Sequence, residues 1–180
     1  GGGSGTMASI KSVAYDEVVK LPKCTFTKKG YTFDSWNEEY KDESDVCGLA
    51  ESGVATLTAT WKPITTKVSY FIDGSVYKDD TKDFSYTESC EYDQDFYTLS
   101  CQKDLSGCDF IGWSTKEQKV YELAERDKAF KAIKYEFGKK YAFNETEDIV
   151  LYPVWVQQPR VKVKGITKDL TVRLEGLGNL

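Results

Sequence analysis

A mainly β (α+β) protein of two small modules in tandem, the second interrupted by a helical insertion, is the fold class this sequence predicts. Three observations carry the prediction. A seven-residue phrase occurs twice without a gap, first as Gly30-Tyr31-Thr32-Phe33-Asp34-Ser35-Trp36 and then as Gly107-Cys108-Asp109-Phe110-Ile111-Gly112-Trp113, an offset of 77 from 30 to 107. The same offset places Cys24 on Cys101, Tyr15 on Tyr92 and Asp16 on Asp93. Downstream, Leu57-Thr58-Ala59-Thr60-Trp61 answers Leu151-Tyr152-Pro153-Val154-Trp155, so all four tryptophans stand at two paired positions. A fixed internal period decides architecture before any single residue does. The third observation is alternation of apolar and polar residues, the mark of half-buried strands.

In order along the chain, Gly1 to Thr6 reads as a flexible linker. Ile10 to Val19 alternates through Val13, Tyr15 and Val18 as a strand, and Tyr31 to Trp36 is the next. Leu21-Pro22 and Lys28-Lys29-Gly30 carry turn chemistry between them. Residues 37–53 are polar and acidic, a loop or short helix holding Cys47. Within them Asp42-Glu43-Ser44-Asp45 lacks the spaced oxygens and glycine of a calcium loop and reads as a solvated face. Val54 to Trp61 is a strand, and Lys62-Pro63 closes a first module of residues 1–63.

The second module, residues 64–158, opens with the strand Lys67 to Ile72 and the turn Asp73-Gly74 into Val76-Tyr77. Phe84 to Glu91 and Phe96 to Leu99 read as extended, and the phrase ends at Trp113. From Trp36 to Trp61 is 25 positions and from Trp113 to Trp155 is 42, a surplus of 17. The surplus lies within Glu117 to Phe137, which is rich in helix formers. Phe130, Ile133 and Phe137 form one apolar stripe and Val120, Leu123 and Ala124 another. This predicts an amphipathic helix packed on the sheet, with a break point at Arg126-Asp127 and Gly138 as its C-cap. Tyr141 to Phe143 and Ile149 to Val156 are strands; Pro153 inside the second asks for an edge or a bulge. Gln157-Gln158-Pro159 marks a boundary, and residues 159–180 form a C-terminal strand segment.

Composition narrows the function classes. A hydrophobic fraction of 40% with 14% aromatic suits a folded chain rather than a disordered one. There is no histidine, which removes the commonest general base and metal ligand. The formal net charge of −5, with lysines and acids interspersed, argues against a nucleic-acid partner. No apolar run approaches the ~20 residues that span a bilayer, and no signal peptide opens the sequence. Membrane insertion is therefore not expected, and any export signal or anchor is expected outside these residues. Nucleophile elbow, P-loop and dinucleotide fingerprint are all absent, so neither catalysis nor a cofactor is expected; a glycosidase-type carboxylate pair is the enzyme reading left over. Of the five cysteines, Cys24 and Cys47 fall in the first module and Cys90, Cys101 and Cys108 in the second. A disulfide Cys24–Cys47 and one pair among the later three, with Cys90 and Cys108 as candidates, would suit an exported protein. Reduced, half-buried thiols are the alternative.

The residues also carry a resemblance. Gly3-Ser4-Gly5-Thr6-Met7-Ala8-Ser9, Val13-Ala14-Tyr15-Asp16-Glu17, Val19-Lys20-Leu21-Pro22, Thr25-Phe26-Thr27, the phrase from Gly30 to Trp36, and Leu57 to Trp61 look like the Listeria–Bacteroides repeat, the internalin-type B-repeat of bacterial surface proteins. The likeness returns over Val68 to Gly74, Gly107 to Thr115 and Gly138 to Trp155, a second copy that diverges by its insertion and cysteines. It implies β-grasp-like modules, a secreted or cell-surface location, a role as adhesin, receptor-binding element or spacer without catalysis, and a host or bacterial surface protein or glycan as partner. Phe33, Trp36, Trp61, Phe110, Trp113 and Trp155 are expected to be repeat core rather than a ligand platform, since large aromatics dominate burial in small domains. Exposed Tyr40, Tyr77 and Tyr121 are the residues suited to a contact surface. In the family the glycine-rich stretch follows an opening strand, which does not precede Gly1, whereas Leu170 to Asn179 looks like such a strand and its turn. Strand donation through residues 170–176, giving self-association as in a pilus-like or filament subunit, is the second functional expectation.

Overall fold

The computed structural model of the chain describes residues 2–50, 53–72, 75–76, 86–101, 105–161 and 170–171. It is mainly β with one short helix. The strands are β1 (Val19–Lys20), β2 (Tyr31–Trp36), β3 (Asp45–Val46), β4 (Ala59–Pro63), β5 (Thr65–Ile72), β6 (Ser75–Val76), β7 (Thr87–Glu91), β8 (Asp95–Tyr97), β9 (Cys108–Ser114), β10 (Tyr135–Glu136), β11 (Lys140–Ala142), β12 (Ile149–Gln157), β13 (Arg160–Val161) and β14 (Leu170–Thr171). A 3-10 turn, Leu123–Glu125, leads into helix α1, Arg126–Ala132. The chain divides into two compact units: Gly1–Thr66 with Glu91–Asp93 and Asn144–Thr146, and Lys67–Cys90 with Gln94–Phe143 and Glu147–Leu180.

In the first unit β2 and β4 pair antiparallel, as do β1 and β3. Leu21, Trp36, Val46 and Ala59 are buried between them, with Met7, Cys24, Phe26, Phe33, Tyr40, Leu57 and Trp61 packed around. The glycine-rich start is not a free linker from Gly3 onward. Ser4 and Thr27 exchange backbone hydrogen bonds of 2.8 and 2.9 Å, and Gly3 lies so close to Trp61 that a Cβ there would stand 2.6 Å from the indole. The strand expected over Ile10 to Val19 shrinks to β1. Ser12 takes φ 59, which breaks the alternation, and Ile10, Val13, Tyr15 and Val18 are exposed. The strand expected from Val54 starts only at Ala59.

The second unit is built on one sheet in the order β10-β9-β12-β5-β6, with β7 also on β5. β12 runs parallel to β5 through Ile149, Val150 and Leu151, then antiparallel to β9 from Tyr152 to Gln157. Pro153 is tolerated for a visible reason. On the side away from β9 the partner changes from β5, whose pairing ends at Leu151, to Tyr121, which exchanges bonds with Trp155 and Gln157. Pro153, which has no N–H to give, falls in the gap between, one residue before the register shift at Val154/Trp155. Side chains alternate along β12, so the sheet is covered on both faces. Leu151 joins Val68, Tyr70, Phe96, Trp113, Tyr135 and Phe143 in one core, while Val154 and Val156 meet Tyr121 and Ala129 in another.

The long helix expected over residues 117–137 is corrected by this second core. Helix α1 has seven residues, Ile133 is already extended, and Tyr135–Glu136 form a strand on β9. The helix turns Ala129 (0% exposed) to the sheet, while Phe130 and Phe137 of the predicted stripe are 47% and 54% exposed. The strand requirement at Tyr135, which is buried against Trp113's core, overrides local helix propensity. Gly138 takes φ 75 in the turn after β10 instead of capping a helix.

Candidate functional site

The sequence phrase becomes a strand with the same geometry in both units. Its glycine enters each strand in the left-handed region, Gly30 at φ 77 and Gly107 at φ 73, which explains the residue at that position. In the first unit Phe33 faces Trp61, Ser35 faces Thr60 and Trp36 faces Ala59. In the second Phe110 faces Trp155, Gly112 faces Val154 and Trp113 faces Pro153. Each hairpin thus skips one residue at the same place, Asp34 in one and Ile111 in the other, as a β-bulge. The rings follow suit. Phe33 lies 5.0 Å from Trp36 and 6.3 Å from Trp61, and Phe110 lies 5.1 Å from Trp113 and 5.6 Å from Trp155. Trp36 and Trp113 are buried, and the other four aromatics are half-buried.

The two trios differ in how their indoles are satisfied. Trp113 Nε1 donates to the Leu99 carbonyl at 2.8 Å. Trp36 Nε1 and Trp61 Nε1 are buried without a hydrogen-bond partner. In the second unit the β5 residue Tyr70 also closes on Trp113, ring to ring at 4.9 Å.

Sequence reading missed Asn37. It sits with Glu38 in the hairpin turn after Trp36, both at positive φ (51 and 65), and its side chain does the work of a strand. Its N–H donates to the Thr58 carbonyl at 2.8 Å, and its Oδ1 accepts from the Thr58 N–H at 2.7 Å. The available signal was the residue type, since asparagine tolerates the left-handed region and mimics backbone. Lys28, Asn37, Glu38, Thr58, Thr60 and Trp61 line an open hollow beside this turn.

The chemistry of these groups is quiet. Among the described residues no three of His, Cys, Asp and Glu converge to hold a metal ion. No disulfide joins the five cysteines, so neither the Cys24–Cys47 bridge nor a pair among Cys90, Cys101 and Cys108 is formed in this structure. Cys24 is packed against the first core while Cys47 is exposed, and Cys90 and Cys101 pack against the second core. Burial pushes the Cys90 thiol up to about 11, with the Glu88 carboxylate adding to the shift. Burial likewise raises Cys24 and Cys108. A raised thiol is a poor nucleophile near neutral pH, because the thiolate is the reactive form. Tyr70 is raised by burial and then by its hydrogen bond to Glu88. Of the tyrosines expected to be exposed, Tyr121 is buried with its hydroxyl on Gln118, Tyr40 is half-buried, and Tyr77 lies outside the described residues.

Against known families, residues 1–49 match the Listeria-Bacteroides repeat domain, a repeat type typical of bacterial surface proteins. The matched span covers β1, β2 and β3 and ends before β4. Comparison with curated proteins and with solved structures finds no match.

Proposed function

We propose that this chain is a non-enzymatic segment of a secreted or surface-attached bacterial protein, made of two β-grasp-like repeat modules, and that it serves as a binding or spacing element. One observation carries the reading: the hairpin within the unit that matches the repeat family recurs in the second unit with the same register, bulge and aromatic trio. A β-grasp-like arrangement is supported by the mixed sheet of the second unit, where an early long strand, β5, runs parallel beside the last long one, β12, and a helix packs on the face. The aromatics that make the repeat recognisable are spent on the cores. Ligand contact then falls to the surface where the units differ, and the partner class is a surface protein or glycan.

The test is accessibility on the producing cells. Antibodies raised against the purified chain are expected to label intact cells, and added protease is expected to remove that label without lysis. Labelling confined to lysed cells would show the reading to be wrong.

A further inference from the structure

Two aligned hairpins allow position-by-position comparison of what surrounds them. In the second unit β5 lies along Ile149, Val150 and Leu151, placing Val68 (0% exposed) and Tyr70 (1%) in the core. The register that sets Trp61 on Trp155 sets Ala55, Thr56 and Leu57 on those three residues. Among the described residues no strand runs beside Ala55–Leu57, and neighbouring Val54 is 89% exposed.

We propose that Ala55–Leu57 is a strand-accepting edge, and that its occupant is the segment Leu170–Leu174 of a second copy of this chain, added in parallel. Aligned on its acid–glycine pair, Leu170-Thr171-Val172-Arg173-Leu174-Glu175-Gly176 matches Val68-Ser69-Tyr70-Phe71-Ile72-Asp73-Gly74 position for position. Leu170 and Val172 then take the inward places of Val68 and Tyr70, and the backbone supplies the ladder, as in other strand additions. Charge agrees with this register. Phe71 meets Tyr152 ring to ring at 5.0 Å, so residue 173 falls opposite Thr58, which shares its hollow with the Glu38 carboxylate. Arg173 there meets an acid. In this structure Leu170–Thr171 pair with Arg160–Val161, and donation exchanges that pairing for the new one. A parallel strand from a neighbour leaves that neighbour's own edge open, so the contact is head-to-tail and propagates.

The proposal rests on taking the two hairpins as copies of one module. Its test is sedimentation velocity of the full 180-residue chain from about 1 to about 100 μM, a range that brackets micromolar association. The expected result is growth in mass with concentration. Thr171→Pro, which removes the N–H that the Ser69 place turns toward the accepting edge, is expected to weaken association by at least about tenfold. Arg173→Glu is expected to weaken it similarly, and Glu38→Arg in the same chain to restore it. A chain that remains monomeric throughout, or a Thr171→Pro chain that associates undiminished, overturns the proposal. Circular dichroism of each variant confirms that the fold is retained. The two readings fail separately: a monomer found on intact cells overturns the strand exchange alone, and an associating protein confined to the cell interior overturns the surface role alone.

Discussion

Asn37 shows how one side chain substitutes for a missing stretch of ladder. Thr58 lies just outside β4, yet its N–H and carbonyl are both taken by Asn37. Asn37→Ala leaves that N–H to water and places a less tolerant residue at φ 51. The expected cost is about 1–2 kcal/mol in chemical denaturation. An unchanged midpoint would mean that the 58–60 stretch needs no such tether. Gly112 is the opposite case, a residue that must be nothing else. It has φ 149, and a Cβ there would stand 2.8 Å from the Tyr135 carbonyl and 2.9 Å from Ile133, where β10 crosses β9. Gly112→Ala is expected to cost about 2–3 kcal/mol, measured the same way, because backbone rather than a flexible side chain blocks the methyl. Its counterpart Ser35 carries a side chain, and among the described residues no strand equivalent to β10 pairs beside it; its hydroxyl instead pairs with Thr60 at 2.7 Å.

Among the elements, the helical insertion explains a set of substitutions that look unrelated in the sequence. Where the first hairpin has Asp34, Thr60 and Lys62, the second has Ile111, Val154 and Val156. The first set faces solvent or is half-buried, with Asp34 held below the usual carboxylate range by its hydrogen bond to Lys41. The second set lies under α1 and Tyr121. Adding a helix to one face of a sheet demands that alternate residues of that face turn apolar. The helix meets the sheet through a small residue, so Ala129→Leu should overpack that seam and cost about 1–3 kcal/mol. Phe130→Ala, on the exposed side under Arg126, should cost under about 1 kcal/mol. Thermal unfolding of the pair checks the orientation, and a larger loss for Phe130→Ala would reverse it.

For the whole molecule, thiols are distributed over both units and each experiences its own environment. Cys47 is exposed, whereas Cys90 is half-buried and raised from an ordinary 9.0 to about 11. Alkylation followed by peptide mass spectrometry at pH 8 should modify Cys47 first and Cys90 slowly, with Cys90 accelerating between about pH 9 and 11. The sign is fixed by linkage. Folding raises this pKa, so the protonated thiol's contribution to stability is complete below pH 9 and is lost as pH rises through about 11. Equal rates for the two thiols at pH 8 would contradict the burial of Cys90.

The sequence by itself determined the strands that carry the phrase, the pairing of the four tryptophans and the seat of the insertion. Those depend on residue spacing, and spacing is preserved when a hairpin folds on itself. That Pro153 falls where the ladder is interrupted was legible for a related reason, since a missing N–H is a local property. Tertiary structure alone decided the rest. Ile10 to Val18 has a strand's alternation and finds no sheet to join, because Ser12 turns the chain and solvent takes the apolar side chains. Residues 117–137 have a helix's composition, but the edge of β9 claims Tyr135–Glu136 and leaves seven residues to the helix. The edge at Ala55–Leu57 is visible only when the two hairpins are laid in register. A strand's neighbours are distant in sequence, and no local pattern records whether one is present.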